Sequence, residues 1–446
     1  MNQVNKRTAL AAAIFILAAA CSPGTDSDGD ATPTGTAAPT QVLTDHGVTD
    51  EACPDAVNTN NGCIYLGILS DLTEGPFAAL GAQVVAGQEA FWQRVNEAGG
   101  VGGYDVNVTE YTRDNKYNPE EHVAQYRAIE PNILALAQSL GTPPTLAALE
   151  AMEADDMLAV PASWWSGWAF EENIIESGTS YCIAAMNGLD WASTMDNEFL
   201  DGDVSSVMVV HYPGDYGDDT AEGVAYWAET NDVEFVEEDN VTTAPNAVAG
   251  NQDGPVAAIS SRSPDVVVLG TGPIEAGEII GKAVASGFTG RFLGATPSWN
   301  VALLDNPDLA AVLPTVYRNL GMWGPFGADT AAHQAMSEAL DGGAPGNDGF
   351  TYGWVWSYSM KSIIEQAIAN GDLTRSGMLA ASKEVTVDYE GALPARSYAG
   401  GPAETVREII IGVPDPNAPL GLATATDFLV GPTGEGFPNT EPCTIV

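Results

Sequence analysis

The sequence predicts an α/β protein of two lobes, each a parallel sheet flanked by helices. Three observations predict it. Short apolar runs of strand length alternate with stretches whose apolar residues recur at helical spacing. That alternation runs from residue 64 to residue 161 and restarts after Asp190. The chain, 446 residues long, also exceeds what one hydrophobic core comfortably serves. Strands separated by helices pair in parallel and are covered on both faces.

Taken in order, residues 64–70 are an apolar run ending in polar residues, a buried-strand signal. Phe77, Leu80, Val84, Phe91 and Val95 follow at helical spacing, and Gly99, Gly100, Gly102 and Gly103 stop that helix. Residues 104–112 alternate as a strand does. Pro119 suits the first turn of a helix reaching Ile129. A strand at 133–137, a helix at 144–154 and a strand at 158–161 complete the first series. The second series has strands at 206–211, 265–270 and 291–294, with helices at 215–231 and 274–286. Residues 330–340 and 352–370 add two helices, and the tail beyond Gly391 is rich in Gly and Pro.

The N-terminus reads as an export signal. Lys6 and Arg7 precede an apolar run at 9–20 that is too short to span a bilayer and ends in small residues before Cys21. Leu17-Ala18-Ala19-Ala20-Cys21 resembles a bacterial lipobox, which implies cleavage before Cys21 and a lipid on its thiol. The alternative is an ordinary signal peptide followed by a chance cysteine. Residues 22–49 are rich in Ser, Thr, Pro, Gly and Asp, and cannot bury enough surface to fold. Asp26-Ser27-Asp28-Gly29-Asp30 lacks the flanking helices and distal Glu of a calcium loop and reads as solvated linker. The expected organisation is a signal peptide at 1–20, a lipid-anchored flexible tether at 21–60, lobe 1 at 61–188 and 320–395, and lobe 2 at 189–319 and 396–446. The protein is expected outside the cytoplasm, anchored to the cell membrane.

Charge narrows the partners. Sixty acidic residues against 15 basic ones give a net charge of −45, which repels nucleic acid and anionic lipid. An anionic ligand would need a local concentration of the few basic residues. Cys53, Cys63, Cys182 and Cys443 remain once Cys21 carries lipid, and four cysteines allow three pairings. Cys53 and Cys63 flank a short polar turn, so a bridge between them is the easiest closure, which would leave Cys182 for Cys443. None shows metal-site spacing, and no metal or cofactor is expected.

Catalytic motifs are weak. Gly270-Thr271-Gly272 follows a strand, but the next glycine, Gly277, comes too late for a dinucleotide fingerprint. No phosphate loop or nucleophile elbow occurs, and His46, His122, His211 and His333 are scattered. The expected class is therefore a binding protein, not an enzyme. Aromatics are more informative. Trp164, Trp165 and Trp168 follow the strand ending near Pro161, and Trp299 follows the one ending near Gly294, where open α/β sheets bind ligands. They either wall a ligand or pack the lobe interface. Trp354 and Trp356 read as core.

These features converge on a resemblance. Ile64-Tyr65-Leu66-Gly67-Ile68-Leu69-Ser70, followed by Gly75-Pro76-Phe77-Ala78-Ala79-Leu80-Gly81, resembles the opening strand and helix start of the branched-chain amino acid (Leu/Ile/Val) binding proteins of ABC transporters. Val95-Asn96-Glu97-Ala98-Gly99-Gly100-Val101-Gly102-Gly103 is similar to that family's glycine turn. Asp114-Asn115, Asn118-Pro119-Glu120 and the segment 212–217 also match. The resemblance implies a type 1 periplasmic-binding clamshell: two Rossmann-like lobes joined by a three-crossing hinge, with the ligand in the cleft. It implies a small polar solute, an amino acid or a related amide or urea-like compound, passed to an ABC transporter permease in the membrane. It places Thr142, Ser163 and Trp164 in ligand-contacting loops, Asp190 as the partner of a ligand amine, and Tyr216 as the aromatic closing the cleft. Asp190 could instead cap the helix beginning near Trp191. The family's tyrosine near Gly272 and Pro273 and its carboxylate near Thr296 are absent, and Leu80 stands where an aromatic often lies, so the ligand stays open. An exported Rossmann-like enzyme and a ligand-sensing receptor protein are the competing classes.

Overall fold

The apolar run after the tether becomes strand β1, Gly62–Ser70, buried at all but one position. The computed structural model describes residues 42–194, 199–200, 203–236, 251–401 and 404–446; the expected signal peptide, Cys21 and the first part of the expected tether lie outside them. β1 pairs with β2 (Tyr104–Asp114) on one side and β3 (Ala135–Leu140) on the other, with β4 (Ala159–Ala162) beyond β3. All four are parallel. Each pair of strands is joined by a helix: α1 (Ala78–Glu97), α2 (Pro119–Ile129) and α3 (Thr142–Ala154). Helix α2 starts where its sequence dictates, because Pro119 follows Asn118, whose side chain accepts the Glu121 N–H.

A second sheet follows α4 (Tyr181–Thr194). Its parallel part comprises β5 (Ser206–His211), β6 (Glu234–Val236), β7 (Val266–Gly270), β8 (Arg291–Ala295) and β9 (Tyr317–Gly321) in the order β6-β5-β7-β8-β9. Antiparallel β10 (Ile410–Pro414) and β11 (Leu422–Thr424) extend it beyond β9. Its crossovers contain α5 (Asp215–Asn231), α6 (Asp253–Arg262), α7 (Pro273–Ala285) and α8 (Pro307–Val316). Period-two alternation splits β5 between two cores. Val207 and Val209 face Leu189 and Trp227, whereas Met208 and Val210 face Ile259 and Ile279.

After β9 the chain returns to the first sheet as α9 (Ala331–Ala339), α10 (Gly349–Asn370) and α11 (Arg375–Ser382). Helices α1 and α10 lie close because glycines line their contact. A Cβ on Gly87 would stand 2.1 Å from Phe350 O, and one on Gly353 would stand 1.9 Å from Val84 O. The chain thus passes between the sheets three times: between β4 and α4, between β9 and α9, and between α11 and β10.

Two expected boundaries move. Helix α4 packs on α5 and against β8 and β9, so the first passage precedes Tyr181 and does not fall at residues 188–189. The tether expected at 21–60 does not extend to residue 60. Leu43–Thr44 pairs with Asp372–Leu373, Val48–Thr49 pairs with the start of β1, and Cys53 is bonded to Cys63. Two-residue strands carry no periodicity, which is why the sequence reads as tether there.

The first passage is fixed to the second sheet by a buried knot. Cys182, in the first turn of α4, is bonded to Cys443. Asp219 on α5 accepts the Ser166 Oγ–H at 2.5 Å and the backbone N–H groups of Ser166 and Cys182 at 3.2 Å, and Ser166 Oγ accepts the Cys443 N–H at 2.8 Å. Complete burial outweighs these donors and pushes the Asp219 carboxyl up to about 7. A carboxyl raised on folding holds its proton in the folded state after the unfolded chain has lost it. Its stabilising contribution is therefore full at acid pH and declines as pH rises toward 7. The melting temperature of the full chain is expected to fall between about pH 4 and about pH 7, and Asp219→Asn should make that decline shallower. A decline just as steep in the variant, read by calorimetry, would contradict this account of the knot.

Candidate ligand-binding site

Parallel strands deliver the loops at their carboxyl ends to one edge of each sheet, and here the two edges meet. The loops after β3, β4, β5 and β8 contribute Gly141, Ser163, Asp215 and Pro297 to one chamber. Its walls are largely aromatic: Phe77, Tyr117, Trp164 and the α10 residues Tyr352 and Trp356 from the first lobe, Tyr181 and Tyr216 from the second. Leu80, Val84 and Leu140 complete an apolar side. The rings support one another edge-on: Trp164 lies 5.9 Å from both Tyr181 and Tyr352 and 5.8 Å from Trp356, and Tyr181 lies 4.7 Å from Tyr216.

Polar groups are few, and the Trp164 and Trp356 Nε1–H groups are buried without a partner. Thr142 Oγ1 and Ser163 Oγ are hydrogen-bonded at 2.9 Å, and Ser163 Oγ also accepts the Trp168 Nε1–H at 3.0 Å. Burial on balance raises the Asp215 carboxyl, and the nearby Thr142 hydroxyl across the lobes offsets part of that rise. The Tyr216 hydroxyl donates to Thr271 O at 3.1 Å. No Lys, Arg or His lines the chamber among the described residues. The glycine loop that invited a dinucleotide reading is also engaged, since the Gly272 N–H donates to Tyr212 Oη at 2.7 Å.

Of the residues singled out in the sequence, Ser163, Trp164 and Tyr216 line the chamber, and buried Thr142 stands behind its wall. Two others lie elsewhere. Asp190 is nine residues along α4 from Tyr181, roughly 13 Å at a helical rise of 1.5 Å. Its carboxylate accepts the Trp227 Nε1–H at 2.8 Å, the Thr433 N–H at 2.7 Å and the Thr433 hydroxyl at 2.8 Å. It binds α4 to α5 and to the short C-terminal helix α12 (Pro432–Gly436), and neither meets the cleft nor caps a helix at Trp191. Trp299 stacks on Tyr317 at 5.8 Å in the core of the second lobe, its Nε1–H directed to Leu420 O. Sequence reasoning missed Asp215, Tyr117, Tyr181 and Tyr352, and gave Trp356 to the core. Asp215 alone had a signal, lying inside the matched segment 212–217; the others come together only through long-range folding.

Comparison with known proteins agrees with this fold. No curated protein matches the chain. Among solved structures, it is similar to a fatty acid ABC transporter substrate-binding protein from Thermomonospora curvata, with 26% identity, 91% of this chain and 99% of that one covered, and a TM-score of 0.79. It shares its fold with a branched-chain amino acid ABC transporter protein from Thermus thermophilus with bound valine (17% identity, 84% and 98% covered, TM-score 0.68). It likewise shares its fold with a solute-binding protein from R. palustris in complex with benzoate (15% identity, 83% and 99% covered, TM-score 0.64). The family described as periplasmic binding protein matches residues 64–407, and this chain belongs to that family.

Proposed function

We propose that this chain is the extracytoplasmic solute-binding component of an ABC transporter, held at the membrane by a lipid on Cys21, and that it delivers its ligand to a membrane permease. The observation that carries the reading is the aromatic chamber between the carboxyl ends of both sheets. The three passages between the lobes serve as a hinge, and closure buries the ligand. Thr142, Ser163, Trp164 and Tyr216 form the site together with Asp215, Tyr117, Tyr181, Tyr352 and Trp356.

The lining selects a solute with an apolar body and few polar groups. The small polar solute implied by the sequence resemblance fits it less well. In that resemblance Thr142 reads a ligand carboxylate, whereas here the Thr142 hydroxyl donates to Ser163 Oγ and the Asp215 carboxyl lies close by. An amino acid carboxylate entering that place would meet a like charge with no cation beside it.

Two measurements test the reading. Aromatic and branched aliphatic solutes should raise the melting temperature and change the tryptophan fluorescence of the chain, with stabilisation of about 2.7 kcal/mol once ligand exceeds its Kd a hundredfold. Trp164→Ala should weaken that binding by about tenfold or more, as loss of a buried aromatic wall does. Stabilisation by small hydrophilic amino acids alone would refute the apolar reading. Cys21→Ser should move the protein from the membrane to the soluble fraction; retention of the variant at the membrane in high salt would refute the lipid anchor.

A further inference from the structure

We infer that the ligand carries a basic nitrogen, as an apolar amine does, and that Asp348 at the start of α10 receives it. This rests on the reading of the chamber as the ligand site. A second, smaller cavity adjoins the chamber, and the Tyr352 ring is a wall of both. Thr296 lines one and the next residue, Pro297, lines the other. The small cavity encloses about 20 Å³, room for one water-sized group such as an ammonium. Like the chamber, it lies between the lobes, with Asp348 on one side and Asn319 and Gly412 of the second sheet on the other.

Asp348 Oδ1 is buried there and has no hydrogen-bond partner. Its neighbours do not supply one. The Thr296 hydroxyl donates to Leu320 O at 2.7 Å, and the Asn319 amide is directed to Tyr317 Oη at 3.4 Å. Asp348 precedes α10 without capping it by a side-chain hydrogen bond. A buried carboxylate oxygen with no donor is costly, and burial alone pushes this half-buried carboxyl up to about 7. A ligand nitrogen in the small cavity supplies the missing charge-assisted hydrogen bond.

Three further features favour a cation over a neutral or anionic group. No Lys, Arg or His lines either cavity among the described residues, so a ligand carboxylate finds no counter-charge, while Asp215 and Asp348 both lie there. Trp164, Tyr216, Tyr352 and Trp356 line the chamber, and aromatic rings attract a cation. The net charge of −45 draws cations toward the cleft.

The test compares three probes of one shape on the full chain by calorimetry: phenethylamine, 2-phenylethanol and phenylacetate. The amine should bind at least about tenfold more tightly than the alcohol, and the acid most weakly. Asp348→Asn should weaken the amine by about tenfold or more and leave the alcohol within about twofold. Phenylacetate binding as tightly as the amine in the native chain overturns the inference whether or not the variant folds. So does an Asp348→Asn variant with native amine affinity, the outcome expected if the small cavity holds only water. In both cases the chamber still binds an apolar solute and its reading stands. If none of the probes binds, the inference and the chamber reading fall together.

Discussion

A parallel strand needs a crossover, and the crossover must return over a face of the sheet. That constraint governs this molecule. Every helix between β1 and β9 exists to bring the chain back to the start of the next strand, so the loops that follow the strands collect at one edge of each sheet. Three passages of the chain set those two edges against one another. Gly141, Ser163, Asp215 and Pro297 are far apart in sequence and share nothing except their position just after a strand, yet they border one chamber.

The charge distribution follows a second rule. Acidic residues on the outside are solvated and cost little, but several acidic groups here sit between the lobes or at their passages without a full set of partners. Asp219 and Glu176 are raised to about 7 by burial despite accepting hydrogen bonds from Ser166 and Thr405. Asp348 reaches the same value with no donor to offset its burial. The first two close internal contacts of the fold. The third has nothing inside the protein to answer it, and that difference separates a structural carboxylate from one available to a ligand.

Much of the fold was legible in the sequence wherever local chemistry agreed with tertiary environment. β5 and α5 occupy the residues expected of them, because an apolar run and an amphipathic period each met the environment they predict. The helix from Pro119 to Ile129 was equally plain from its proline. Helix α4 was not legible: Tyr181 through Ala192 are all buried, so no polar face marks its period. The same gap misled the reading of Asp190, whose glycine-leucine context resembled a lobe crossing while its real partners, Trp227 and Thr433, are distant in sequence. In the site, loops beside strands could be anticipated from topology. Tyr352 and Trp356 could not, because α10 reaches the chamber from a chain segment far beyond the loops it meets.

The central claim is that ligand occupies the space between the carboxyl ends of the two sheets. The most direct test is a crystal structure of the chain bound to whichever solute raises its melting temperature most. The account predicts ligand density enclosed by Trp164, Tyr216 and Trp356, with both lobes in contact. Density seated instead against Glu176, Arg396 and Tyr398, where another hollow lies beside the hinge passages, would contradict it.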